Sequence, residues 1–136
     1  MQVYSRNCRP LLGSGGDNPS TIGESLMSGL RMTPETFELV GARFKALAEP
    51  ARLRILHALQ KGDLTVGALA SATGLGQANL SRHLQQLLAL GFVSRTKRGL
   101  FAHYALADRD VLRLCDLMCG RLAKESAARK AALKSR

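Results

Sequence analysis

The chain has 136 residues, of which 46% are hydrophobic and only 4% aromatic, with no Trp, so a single domain core must be built from Leu, Ala, Val and Ile, which favours helices. The 20 Lys and Arg outnumber the 10 Asp and Glu, giving a formal net charge of +10 that calls for a polyanionic partner. No run approaches the ~20 apolar residues of a membrane span, no long apolar stretch follows the first basic residues, and Cys8, Cys115 and Cys119 do not make a disulfide framework; a bilayer and a secretory leader are not expected, and the cytoplasm is.

Residues 1–31 hold Pro10, Gly13, Gly15, Gly16 and Pro19 with several Ser and no sustained period, and read as a flexible N-terminal arm. Met27 and Met32 both precede the patterned sequence, and the arm is either a dispensable extension or a functional segment bringing Arg6, Arg9 and Cys8 to DNA or to an effector site.

Thr33-Pro34-Glu35 opens a first helix, with a capping hydroxyl, proline at the first helical position and an acid at the positive end of the helix dipole. Phe37, Val40, Phe44 and Leu47 form its apolar set, which runs to Ala48. Glu49-Pro50 breaks the pattern and opens a second helix, Ala51 to Lys61, ending at Gly62, with Leu53, Ile55, Leu56 and Leu59 as core candidates and His57 as a structural histidine. Asp63 to Val66 reads as a short strand or turn.

From Thr65 to Gly91 the chain spells a short helix, a glycine turn and a second helix. Thr65 caps the first, Val66, Leu69 and Ala70 bury one face, and Gly74 and Gly76 supply conformational freedom for the turn. Leu80, Leu84, Leu87 and Leu88 anchor the second helix, from about Gln77 to Leu90, while Gln77, Asn79, Ser81, Arg82 and Gln85 fall on other faces. Amides pair with adenine, a guanidinium with guanine, and a hydroxyl with a base or phosphate oxygen, so this row suits the edge of a duplex; His83 either joins it or packs within the fold.

Beyond Gly91, FVSRTKR, a turn at Arg98-Gly99 and LFAHYAL form a hairpin with a basic tip, His103 being a strand residue on its second arm. No acid occurs between Asp63 and Asp108, a stretch that contains Arg82, Arg95, Lys97 and Arg98, and an acid-free segment of this kind suits a surface lying along phosphates. The last helix is expected from Asp108, with Asp108 and Asp110 in its first turn, and to continue into a basic tail at residues 127–136. On it Cys115 and Cys119 stand four apart, with β-carbons about 6 Å from each other, a spacing that lets two thiolates hold one soft ion or be bridged by inserted sulfur. The competing reading packs both thiols with Val111, Met118 and Leu122.

RFKALAEPARLRILHAL at residues 43–59, the SRHLQQL helix and GFVSRTKRGLFAHY occur in that order, and over residues 34–122 the chain resembles the ArsR/SmtB family of bacterial repressors. The resemblance implies a dimer in which the first helix packs on the partner's last helix, and a repressor that leaves its operator when an inducer binds. Family members that sense metal through a Cys-x-Cys motif carry it where this chain has Thr65, Val66, Gly67 and Ala68, and some thiol sensors carry cysteine near His57. The zinc site of other relatives would use Asp108 and Asp110 with later positions that here appear as Arg121 and Lys124, which repel a cation.

The expected fold is therefore mainly α with a small β-hairpin wing, a dimeric winged helix-turn-helix over residues 32–126. The expected DNA contacts are Gln77, Asn79, Ser81, Arg82, His83 and Gln85 from the helix and Arg95, Lys97 and Arg98 from the wing. Cys115 and Cys119, with Cys8 as a third thiolate, are the candidate effector site, and the pair are the soft-metal ligands if the inducer is a metal or metalloid; a persulfide or oxidant is the other inducer class. No cofactor is required. A regulator without an inducer and a nonspecific architectural DNA binder are the alternatives, and an enzyme is not expected because no acid, base and nucleophile cluster together.

Overall fold

The structure, a computed structural model, describes residues 33–135. The arm at residues 1–31, with Arg6, Cys8 and Arg9, and the two methionines Met27 and Met32 lie outside the described residues. Along the rest run α1 (Pro34–Leu47), α2 (Pro50–Ala58), a 3-10 turn (Leu59–Lys61), β1 (Leu64–Thr65), α3 (Val66–Thr73), α4 (Gln77–Ala89), β2 (Val93–Arg98), β3 (Phe101–Leu106) and α5 (Asp110–Lys134). The described residues are mostly helical with one three-stranded antiparallel sheet of order β1-β3-β2, and they divide into two compact units, one ending at Asp108 and one containing α5.

Local chemistry accounts for most of these boundaries. Thr33 caps α1 by accepting from the Thr36 amide at 3.3 Å, with Pro34 next in the chain. A backbone hydrogen bond and the Thr33 hydroxyl hold the Glu35 carboxyl below the usual carboxylate range. The second helix ends three residues earlier than expected, because Leu59 to Lys61 tighten into a 3-10 turn before Gly62 at φ +149°. Ala107 still donates to the Phe92 carbonyl at 3.1 Å, so the chain leaves the sheet late and α5 opens at Asp110 rather than Asp108; only Asp110 is in its first turn. The helix then runs unbroken into the basic tail.

The core of the first unit lies between α2, α3, α4 and the start of β2. Ile55, Leu56, Leu69, Leu80, Leu84 and Leu87 are wholly buried and Leu59 and Val93 almost so. At about 1.5–3 kcal/mol for each fully buried aliphatic side chain, these residues fix how α4 sits on the domain. Leu88, expected in the same stripe, is on the exposed side, since positions 80, 84 and 87 already close the buried arc and residue 88 lies beyond it. One further expectation changes: His57 is exposed on α2 rather than packed. Of α1 only Ala46 is buried, and Phe37 and Phe44 of its apolar set are each 58% exposed.

Candidate nucleic-acid interface

The two helices of the motif are joined by a turn that one glycine shapes. Thr65 accepts from the Ala68 amide at 3.2 Å to start α3, and Gly74 ends it in the left-handed region at φ +71°, its amide donating to the Ala70 carbonyl at 2.9 Å. Gly76 caps α4 at φ −64° and ψ 148°, a conformation open to any residue, so the freedom expected of both glycines is used at Gly74 alone. The far end of α4 closes with a paired motif: Phe92 donates to the Leu87 carbonyl at 2.9 Å and Gly91, at φ +77°, to the Leu88 carbonyl at 3.1 Å.

Between these ends α4 turns Leu80, Leu84 and Leu87 inward and leaves Gln77, Asn79, Ser81, Arg82 and Gln85 all exposed. Arg82 donates to the Asn79 side-chain oxygen one turn back, so a guanidinium and an amide are presented together. His83 parts company with them. It is half-buried, its Nδ1 is enclosed without a hydrogen-bond partner, and desolvation followed by the Arg52 charge pushes its pKa below 6.5, with Arg82 adding to this and Glu49 opposing.

A residue that pattern reading passed over holds the helix in place. The Arg52 guanidinium on α2 donates to the Ala46 carbonyl and, at 3.5 Å, to the Lys45 carbonyl at the end of α1, and its third arm donates to the Gln86 side-chain oxygen on α4. Arg54 similarly reaches the Thr73 carbonyl at 3.5 Å, and Thr73 bonds back to Leu69 at 2.6 Å. No local signal marks Arg52, because its acceptors are backbone carbonyls and an amide 34 positions away.

The wing is β2 and β3, with β1 as a third strand. His103 pairs with Thr65 on one side and Thr96 on the other, so by the two-residue period Asp63, Thr96, Arg98, Phe101 and His103 share a face. Arg95 pairs with Tyr104 and Lys97 with Ala102 on the opposite face, the one that also carries buried Val93. The three wing cations therefore do not form one patch. Arg98 donates to Asp63 Oδ2 at 2.7 Å, and His103 Nδ1 lies 3.3 Å from the same oxygen. Leu100, 94% exposed, is at the tip, where a groove of about 390 Å³ lies between the wing, the start of α3 and Gln77.

On α5, Cys115 and Cys119 are half-buried thiols, while Leu114, Leu117, Met118 and Leu122 are exposed. Asp110 pairs with Arg113 and Arg121 with Glu125, each at 3.5 Å. Among the described residues no group of three or more His, Cys, Asp or Glu could hold a metal ion, and Cys8, the third thiolate expected, lies outside them. No helix of the described residues is long and apolar enough to cross a membrane.

Comparison with known proteins gives a consistent answer. The bacterial regulatory protein, arsR family, matches residues 49–95. The transcriptional regulator CmtR of Mycobacterium tuberculosis is 43% identical over 83 residues, 60% of this chain and 70% of its own length. The nodulation protein NolR of Rhizobium meliloti is 38% identical over 80 residues, 59% of this chain and 66% of its own, just under two thirds. Among solved structures, that of M. tuberculosis Rv0081 superposes with a TM-score of 0.64 at 36% identity, covering 71% of this chain and 97% of that one. A homodimeric winged helix-turn-helix DNA-binding domain, Mb0332 of Mycobacterium bovis, gives 0.57 at 35%, covering 67% and 83%.

Proposed function

The chain belongs to the ArsR family of bacterial regulatory proteins, a family of DNA-binding transcriptional regulators and not enzymes, and on that premise we propose that it is a homodimeric repressor that reads a two-fold symmetric operator. The observation that carries the reading is the exposed row on α4, Gln77, Asn79, Ser81, Arg82 and Gln85, held over three fully buried leucines. These side chains enter the major groove and contact base edges or phosphates, while cations of the wing hold the backbone alongside. His83 supports the helix from behind rather than touching DNA, since its enclosed Nδ1 faces the protein.

The partner is a second copy. Phe37 and Phe44 on α1 and Leu117 and Met118 on α5 are large exposed apolar groups, the surface expected of an interface, and the Mb0332 domain is described as homodimeric. A two-fold dimer reads an imperfect palindrome with half-sites ~10 bp apart. Enrichment of bound duplexes from a randomised pool tests this: such palindromes are expected, and a pool that stays random would leave a nonspecific binder.

The inducer acts at Cys115 and Cys119, which share one face of α5. A soft cation or metalloid would displace two thiol protons and hold both sulfurs; a polysulfide would insert sulfur between them while its own chain is reduced. Either releases DNA only to the extent that it binds the DNA-incompetent conformer more tightly. Anisotropy of a labelled operator duplex, titrated with arsenite, cadmium or an organic polysulfide against the protein and its Cys115→Ser and Cys119→Ser variants, separates these classes. Release by none of them would make the cysteines packing residues of an inducer-independent regulator.

A further inference from the structure

Resting on the reading of the wing as a DNA-binding element, we propose that Asp63 is a positioning residue that draws Arg98 away from the phosphates, so that the wing grips the backbone through Arg95 and Lys97. Arg98 is the last residue of β2, beside the tip, whereas Asp63 precedes β1, whose Leu64 and Thr65 pair with Tyr104 and His103. In that register Asp63 lies toward the base of the wing. The Arg98 side chain therefore folds back along its own face to meet Oδ2 at 2.7 Å, pointing away from the tip. His103 Nδ1, at 3.3 Å from the same oxygen, packs against the pair from the strand between them.

The exposure of the pair, 61% for Arg98 and 35% for Asp63, makes it a weak contribution to folding, and its consequence lies in what DNA meets. Asp63 and Asp108 bound an otherwise acid-free, cationic segment, and Asp63 is the carboxylate that meets Arg98. If Arg98 moved onto a phosphate, it would leave that carboxylate with its charge bare on the wing, next to a polyanion. Exchange is opposed twice, by the loss of the pair and by the repulsion that follows. Arg95 and Lys97, exposed on the opposite face, make no ion pair among the described residues and incur neither cost.

The number of phosphate contacts is read from the dependence of log affinity on log salt, about 0.9 for each contact on duplex DNA. The probes are a duplex enriched from the randomised pool and a mixed-sequence duplex of equal length. Lys97→Ala should flatten the slope by about 0.9, and Arg98→Ala by less than half as much. Asp63→Asn, which keeps the side-chain shape, should steepen it by about one contact, and adding Arg98→Ala in that background should now cost the full amount. In the free protein, Asp63→Asn should also move the Arg98 Nε–H resonance and leave that of Arg95 in place. Equal slopes for Lys97→Ala and Arg98→Ala with Asp63 present, or an Arg98 resonance indifferent to Asp63→Asn, would overturn the proposal while leaving the wing on DNA. If neither Arg95→Ala nor Lys97→Ala changes the slope on either duplex, the wing does not touch DNA and both readings fall.

Discussion

Arg52→Ala should loosen α4 without touching the polar side chains exposed on its outer face. The guanidinium serves three acceptors on two helices: the Ala46 carbonyl, which is part-buried, the Lys45 carbonyl at 3.5 Å, and the Gln86 side chain. A charged hydrogen bond to a part-buried carbonyl is worth about 1.5–2 kcal/mol and the exposed one to Gln86 about 0.5, while the long Lys45 contact adds little, so the loss should be about 2 kcal/mol. Urea unfolding at fixed protomer concentration, followed by circular dichroism, measures it as a lower midpoint at unchanged m-value. Gln86→Ala should cost roughly a quarter as much, because it leaves the tie to α1 in place. Arg52→Lys should recover only part of the loss, since one ammonium cannot span acceptors on both helices. A loss below about 0.5 kcal/mol for Arg52→Ala, or an equal loss for Gln86→Ala, would refute the clamp.

Leu84→Ala removes a wholly buried side chain beneath the reading face and should destabilise by about 2–5 kcal/mol in the same unfolding assay, lowering operator affinity through the fold. Arg82→Ala should weaken discrimination between the enriched and mixed-sequence duplexes by roughly 1–3 kcal/mol if the guanidinium reads a base; a uniform loss on both would place it on a phosphate. His83 is held below its ordinary 6.5 by burial and by Arg52, so its protonation is disfavoured in the folded state. Its contribution to stability is complete above that value and is lost as pH falls toward the lowered folded pKa, so His83→Gln should flatten the decline of stability on the acid side of 6.5.

What the sequence made legible was local. Thr33 and Thr65 cap their helices, Gly74 and Gly91 take positive φ at the helix ends, and Leu80, Leu84 and Leu87 are buried, because caps, turns and a three-and-four period each depend on a few neighbouring residues. The errors have separate causes. α5 starts two residues late because Ala107 is still bonded to Phe92, well back along the chain, whereas His57 faces solvent because it lies opposite the arc that buries Ala51, Ile55, Leu56 and Leu59. Gly76 shows a different limit: glycine permits a positive φ but does not impose one.

Charge in the wing illustrates how far composition carries and where register takes over. Counting residues between Asp63 and Asp108 gives an acid-free basic segment, which suits a surface for a polyanion but treats Arg95, Lys97 and Arg98 as equivalent. The pairing of Thr96 with His103 and of Lys97 with Ala102 places adjacent cations on opposite faces, and the acid that bounds the segment then becomes the nearest partner of one of them. Shifting the β1 register by one residue would carry Asp63 to the other face, among Arg95 and Lys97, and reverse which cations are held. On the proposal made for Asp63, the two-residue pairing of β1 with β3 therefore sets which wing cation that carboxylate can hold.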